Sequence, residues 1–218
     1  MRKRLLRSSN WLKGARVAAA AGVLSMLQLG ADPVHETTVS ASTSQGVPVA
    51  IGGVLLGGQT RTLPTSESVQ FQAGIQNLWN AIVEGRPSLA ASLFFPLPAY
   101  VAVKAINNGV QEWTTRLMVF YKMDIMAAHA YLGAGAASDK LVGVWVPRSS
   151  AVWVKPGVEL NKGSYWRVYG SRLLYLSGGV VKSLGIRSLI SWKGEWYVVH
   201  LGHIARATFS GNLYEPYG

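Results

Sequence analysis

Near residue 140 the hydrophobic period of this chain changes from that of a helix to that of a strand, which narrows the folds open to it. Before that point Phe71, Ile75, Leu78, Trp79, Ile82 and Val83 recur at spacings of 4, 3, 1, 3 and 1. Such spacing lays a single apolar stripe along a helix. Thr65 or Ser66 is placed to cap its start, and Gly85 with Pro87 to end it. Ser88 can cap a short second helix through Phe94, stopped by Pro96 and Pro98. A long third helix is expected from Gln111 to Leu132, with Trp113, Leu117, Phe120, Tyr121, Ile125, Ala128 and Leu132 on its buried face.

Beyond residue 140 apolar residues alternate. The stretches Leu141–Val146, Ala151–Val154, Tyr165–Tyr169, Arg172–Leu176, Val180–Ile190 and Glu195–Leu201 are rich in Val, Trp, Tyr and Leu. Gly170-Ser171, Gly178-Gly179 and Lys193-Gly194 are short enough to be hairpin loops, so consecutive strands should form an antiparallel meander. Helices first and a meander afterwards predict an α+β fold, with N-terminal helices packed on a curved antiparallel β-meander sheet.

The N-terminus carries a different signal. Six of the 21 basic residues lie in the first 16 positions, and no acidic residue precedes Asp32. A 13-residue apolar stretch, Val17 to Leu29, follows and leads into Gly30-Ala31 and polar sequence. This is the order of a secretory signal peptide. Its core is shorter than the roughly 20 apolar residues of a membrane span. Cleavage is expected after Ala31, with Ala41 as the second choice and an uncleaved anchor as the alternative. Arg2-Lys3-Arg4 lacks the rest of a twin-arginine motif, which favours general secretion. The expected organisation is a signal peptide (1–31), a Ser/Thr- and Gly-rich linker (32–63), an α+β domain (64–205) and a C-terminal tail (206–218). Residues 47–59, apolar but broken by Gly pairs, read equally as an irregular strand or as an unstructured segment. The expected location is secreted or cell-envelope associated, with membrane contact only through the signal peptide.

Composition removes several function classes. With no cysteine, the chain has no disulfide framework, no thiol nucleophile and no acylated cysteine for a lipid anchor. Outside the first 16 residues, 15 basic residues face 10 acidic ones and are scattered without a run. Phosphate-backbone binding needs a clustered footprint, so nucleic acid is not an expected partner. No cofactor or metal is expected either. His200 and His203 are three apart at a strand end, a spacing that suits a shared face only if the chain turns helical there, and no HExxH motif exists.

Two sets of side chains remain as candidates. Asp124 lies between apolar positions Phe120 and Ala128 on the third helix, so it can face the space between helices and sheet. With His200 it would form an acid–base pair for an exported hydrolase or isomerase, whereas a satisfied structural ion pair is the commoner role for such a residue. Lys104, Arg116 and Arg167 can anchor an anionic ligand, with Tyr100, Trp113 and Tyr169 as the apolar wall. This second set favours a non-enzymatic module that binds a small ligand, an envelope polymer or a protein partner.

The stretch Leu78–Pro87 (LWNAIVEGRP) resembles the opening helix and turn of the cone-shaped, nuclear-transport-factor-two-like domains. Ser191–Val199 (SWKGEWYVV) is similar to their closing hairpin, and the likeness covers about 66–202. The chain also resembles uncharacterised secreted actinobacterial proteins. The shared residues are Phe94-Phe95-Pro96, Tyr100 with Lys104, Trp113 with Arg116-Leu117, Pro156–Glu159 with Asn161-Lys162, Tyr169–Leu173 and Ser188–Trp192. These resemblances imply export and a cone-like fold. They imply no particular activity, because one fold hosts enzymes and binding modules alike.

Overall fold

The computed structural model describes residues 57–217; the expected signal peptide and most of the expected linker lie outside the described residues. Helix α1 (Val69–Glu84) buries Phe71, Ile75, Leu78, Trp79 and Ile82, the stripe expected from the spacing. Its cap is Ser68, whose hydroxyl accepts the Phe71 amide at 3.1 Å. Thr65 and Ser66 do not take that role. They form a local turn in which both hydroxyls engage Glu67. Gly85 ends α1 in the left-handed conformation at φ 62° and returns its amide to the last carbonyls.

A 3₁₀ segment (Pro87–Leu93) follows, then α2 (Leu97–Val103). Pro96 and Pro98 therefore open a helix, where they were expected only to stop one. In a first turn the missing proline N–H is one that has no helical partner anyway. The third helix is interrupted: α3 (Gly109–Glu112) passes through a π-helical turn (Trp113–Leu117) into α4 (Met118–Leu132). Within that turn the Met118 amide reaches back five residues to the Trp113 carbonyl.

The sheet is open, antiparallel and six-stranded, which makes the protein an α+β fold. Its strands are β1 (Lys140–Trp145), β2 (Val152–Val154), β3 (Tyr165–Ser177), β4 (Val180–Trp192), β5 (Glu195–His200) and β6 (Tyr214–Tyr217). The turns at Gly178-Gly179 and Lys193-Gly194 close hairpins with positive φ at both central residues, as a two-residue loop requires. Gly170-Ser171 is not a turn. β3 runs straight through it, with Tyr169 opposite Ser188 and Ser171 opposite Ile186, so the register is unbroken. Gly170, at φ 73°, kinks the strand instead of ending it. Two long strands, β3 and β4, thus form the spine. Each lends its outer edge to two short strands: β2 and β1 on β3, β5 and β6 on β4.

Helices and sheet share one core. Trp79 of α1 meets Tyr175 of β3 at 5.3 Å between ring centroids, and Phe94 stacks on Tyr121 of α4 at 4.7 Å. The Phe95 amide donates to the Val198 carbonyl at 2.9 Å, which stitches the helical layer to β5. Residues outside 64–205 also pack into this body. Gln59 is buried and its amide donates to the Ser164 and Ser191 carbonyls, while β6 adds to β4. At Gly185 the fit is tight, because a Cβ there would fall 2.1 Å from the Tyr214 carbonyl oxygen. Gly185→Ala should therefore detach β6. We expect faster amide hydrogen exchange at 214–217 and a stability loss of about 1–3 kcal/mol; unchanged exchange would rule out this contact.

Candidate functional site

Strand alternation builds one wall of a cavity of about 240 Å³. Tyr165, Arg167 and Tyr169 are two apart on β3, so they share a face. Cross-strand pairing continues that face, since Ile190 stands opposite Arg167, Ser188 opposite Tyr169, and His200 of β5 opposite Ser188. Tyr100 and Lys104 enter from α2 and its C-terminal cap, and Arg116 with Leu117 from the π-helical turn. The loop before β3 supplies Glu159 and Leu160. That loop is pinned to the end of α2, because the Ala105 amide donates to Leu160 (2.8 Å) and the Lys162 amide to Val103 (2.7 Å).

A polar chain runs along one side. Lys104 Nζ donates to the Glu159 carbonyl at 2.9 Å and to the Tyr165 hydroxyl at 3.1 Å. The Tyr165 hydroxyl in turn donates to the Glu159 carboxylate at 2.8 Å, and Arg167 pairs with that same carboxylate. Arg167 and Arg187 each lie over the Tyr169 ring, at 4.3 and 4.5 Å from its centroid. The Arg167 Nε is buried with no hydrogen-bond partner among the described residues. Arg116 is held by Glu112 one turn back, at 2.6 Å from its Nε. Glu159 is the sole acidic residue among those lining the cavity, against Lys104, Arg116 and Arg167.

Titration follows from this crowding. Burial, and next the charge of Arg167, lower the Lys104 ammonium to about 8. Burial lowers His200 to about 4, helped by Arg116, Arg206, Lys104 and Arg187, so its imidazole is neutral at pH 7. Its Nδ1 is 3.0 Å from the Ser188 hydroxyl. Burial raises Tyr100 to about 12, with Glu112 adding and Arg116 opposing, and it raises the Tyr165 phenol as well. Both phenols stay protonated at neutral pH.

Of the residues singled out in the sequence, Tyr100, Lys104, Arg116, Arg167, Tyr169 and His200 meet at this cavity. Two do not. Trp113 turns into the core, where its indole N–H donates to the Phe95 carbonyl at 2.7 Å and its ring packs on Phe94. Asp124 and His200 do not pair, and Asp124 instead takes the structural ion pair that is the commoner role for such a residue. The Asp124 carboxylate, 1% exposed, is taken by Arg206 in a bidentate ion pair (2.7 Å to each oxygen) and by the Gly202 and Asn212 amides. All four donors come from the segment after β5. His203 packs on Tyr214, and among the described residues no cluster of His, Cys, Asp or Glu could hold a metal ion. Sequence reasoning missed Tyr165 and Glu159. The first was legible from its spacing of two to Arg167, whereas nothing periodic marks a loop residue such as Glu159.

No protein family, no characterised protein and no solved structure matches this chain.

Two outcomes follow from the geometry. Asp124→Ala leaves Arg206 buried and uncompensated, so urea unfolding should show a loss of about 3–5 kcal/mol; a loss below about 1 kcal/mol would mean the pair is dispensable. For His200, the unfolded imidazole takes up its proton near 6.5 and the folded one only near 4. Between those pH values the unfolded state binds more protons, so stability falls as pH drops through the window and is unaffected above it. The loss is on the order of 3 kcal/mol, and His200→Gln should abolish most of it. An NMR titration midpoint for His200 near 6.5 would contradict the assignment.

Proposed function

We propose that the chain is an exported, non-enzymatic binding module of the cell envelope whose cavity holds a small organic anion with an apolar body. The observation that carries this reading is the convergence of Lys104, Arg116 and Arg167 with Tyr100, Tyr165 and Tyr169 on one cavity from separate segments of the fold. Arg116 and Arg167 are paired with Glu112 and Glu159, and Lys104 is left without an ion-pair partner among the described residues. That excess of cations favours a negatively charged guest. Leu117, Ile190 and Val199 complete an apolar lining suited to a short hydrocarbon chain. The commitment of Asp124 to four hydrogen bonds away from the cavity favours binding over acid–base turnover. Export is supported by the cationic start and apolar stretch of the first 29 residues. The resemblance to cone-shaped domains supports the same assignment, because such a fold offers a pocket between its helices and its sheet.

Calorimetric titration of the purified protein with hexanoate tests the reading. Hexanoate should bind and its neutral counterpart hexanamide should bind far more weakly. Arg167→Gln and Arg116→Gln should each weaken hexanoate by roughly 10-fold or more, the worth of one charge-assisted hydrogen bond. Equal binding of the amide and the acid would reject an anion site.

A further inference from the structure

Lys104 has surroundings that anion binding alone does not require. Its amine lines the cavity together with two guanidinium groups, and it is the first link of a chain that runs from Nζ through the Tyr165 hydroxyl to the Glu159 carboxylate. We propose that Lys104 captures 2-oxo acids as a reversible imine at Nζ, a covalent form of the ligand binding assigned to this cavity and resting on that assignment.

Imine formation needs a neutral amine, a proton path and a carbonyl held beside the amine. Each has a counterpart here. An ammonium proton can pass from Nζ to the Tyr165 oxygen while the Tyr165 proton passes to Glu159, along contacts of 3.1 and 2.8 Å. The low affinity of the buried amine for its proton assists that release. The freed lone pair then bonds to the keto carbon as the carbonyl π electrons move to oxygen. Both remaining amine protons leave with that oxygen as water, Tyr165 relaying the transfer, and C=N replaces C=O with no change of oxidation state. Arg116 and Arg167 are available for the carboxylate beside the keto group, and Leu117, Ile190 and Val199 for the alkyl tail.

The test uses the purified protein with 2-oxohexanoate and sodium cyanoborohydride, which reduces an imine to a stable amine. Intact mass should show one adduct per chain, and peptide mapping should place it on Lys104. Hexanoate should slow its formation by occupying the anion site. Lys104→Arg should abolish the adduct. Tyr165→Phe should slow trapping by roughly 10-fold or more, the scale of one proton-transfer contribution, measured at saturating 2-oxohexanoate so that a change in affinity does not enter the rate. If Lys104→Arg fails to fold, the wild-type peptide map and the hexanoate protection decide the matter. Label spread over surface lysines such as Lys122, Lys140 and Lys182, or undiminished label in Lys104→Arg, overturns the proposal. Hexanoate binding with no adduct overturns the imine and keeps the anion site. An adduct on Lys104 without hexanoate binding does the reverse, and the absence of both rejects both.

Discussion

The buried ion pair of Asp124 and Arg206 is the constraint that holds the segment between β5 and β6 to helix α4. Asp124 stands in the middle of α4, and its four hydrogen bonds come from three residues, Gly202, Arg206 and Asn212, all from the irregular stretch between β5 and β6. That stretch has no regular ladder of its own. Its backbone amides need acceptors, and a carboxylate supplies two of them at once. Arg206 also lies over the Phe120 ring at 4.2 Å, and Phe209 packs on the same ring, so the pair is roofed by apolar groups. Desolvation makes such a pair a poor source of net stability against an apolar substitute. Its contribution is one of position.

The consequences of that position reach the cavity. Anchoring Gly202 to α4 fixes the end of β5, and with it Val199 and His200 in the cavity wall. Anchoring Asn212 brings the chain back to lay β6 along β4 beside Gly185. On the far side the π-helical turn inserts one extra residue before α4, and Arg116 and Leu117 of that turn both line the cavity. The walls are thus made by the sheet and by irregular backbone held against it, the usual division between scaffold and site.

What the sequence disclosed follows the same division. Local periodicity revealed the α1 stripe, the two closing hairpins and the α+β order, since each depends on neighbours along the chain. It misread Gly170, because a glycine inside a paired strand looks like a glycine in a turn until the partner register is known. Arg167 and Tyr169 were singled out, and Tyr165 was missed although it repeats with them at the strand period. Trp113 lies on the buried face expected for its helix, but it packs on Phe94 in the core and does not line the cavity. The bond between Asp124 and Arg206 spans 82 residues and joins a helix to a loop, so no spacing rule could relate them.

The cavity itself departs from what stability alone would select. Three cationic side chains share its lining with one carboxylate, and a Lys and a His there are both held below their ordinary values by burial and neighbouring charge. The Lys104 shift sets free energy against the folded state at neutral pH, and the His200 shift does so once the pH falls below about 6.5. A core chosen only for stability would replace these residues with apolar ones of similar volume. Glu159 neutralises part of the charge through Arg167, and the Tyr169 ring takes cation–π contacts from both Arg167 and Arg187. Glu112 pairs with Arg116 from one turn back, which leaves Lys104 as the cation of the lining without an ion-pair partner among the described residues. Local conflict of this kind is expected where function has been placed above stability. An anion entering the cavity would remove the conflict and gain affinity from strain that the protein already carries.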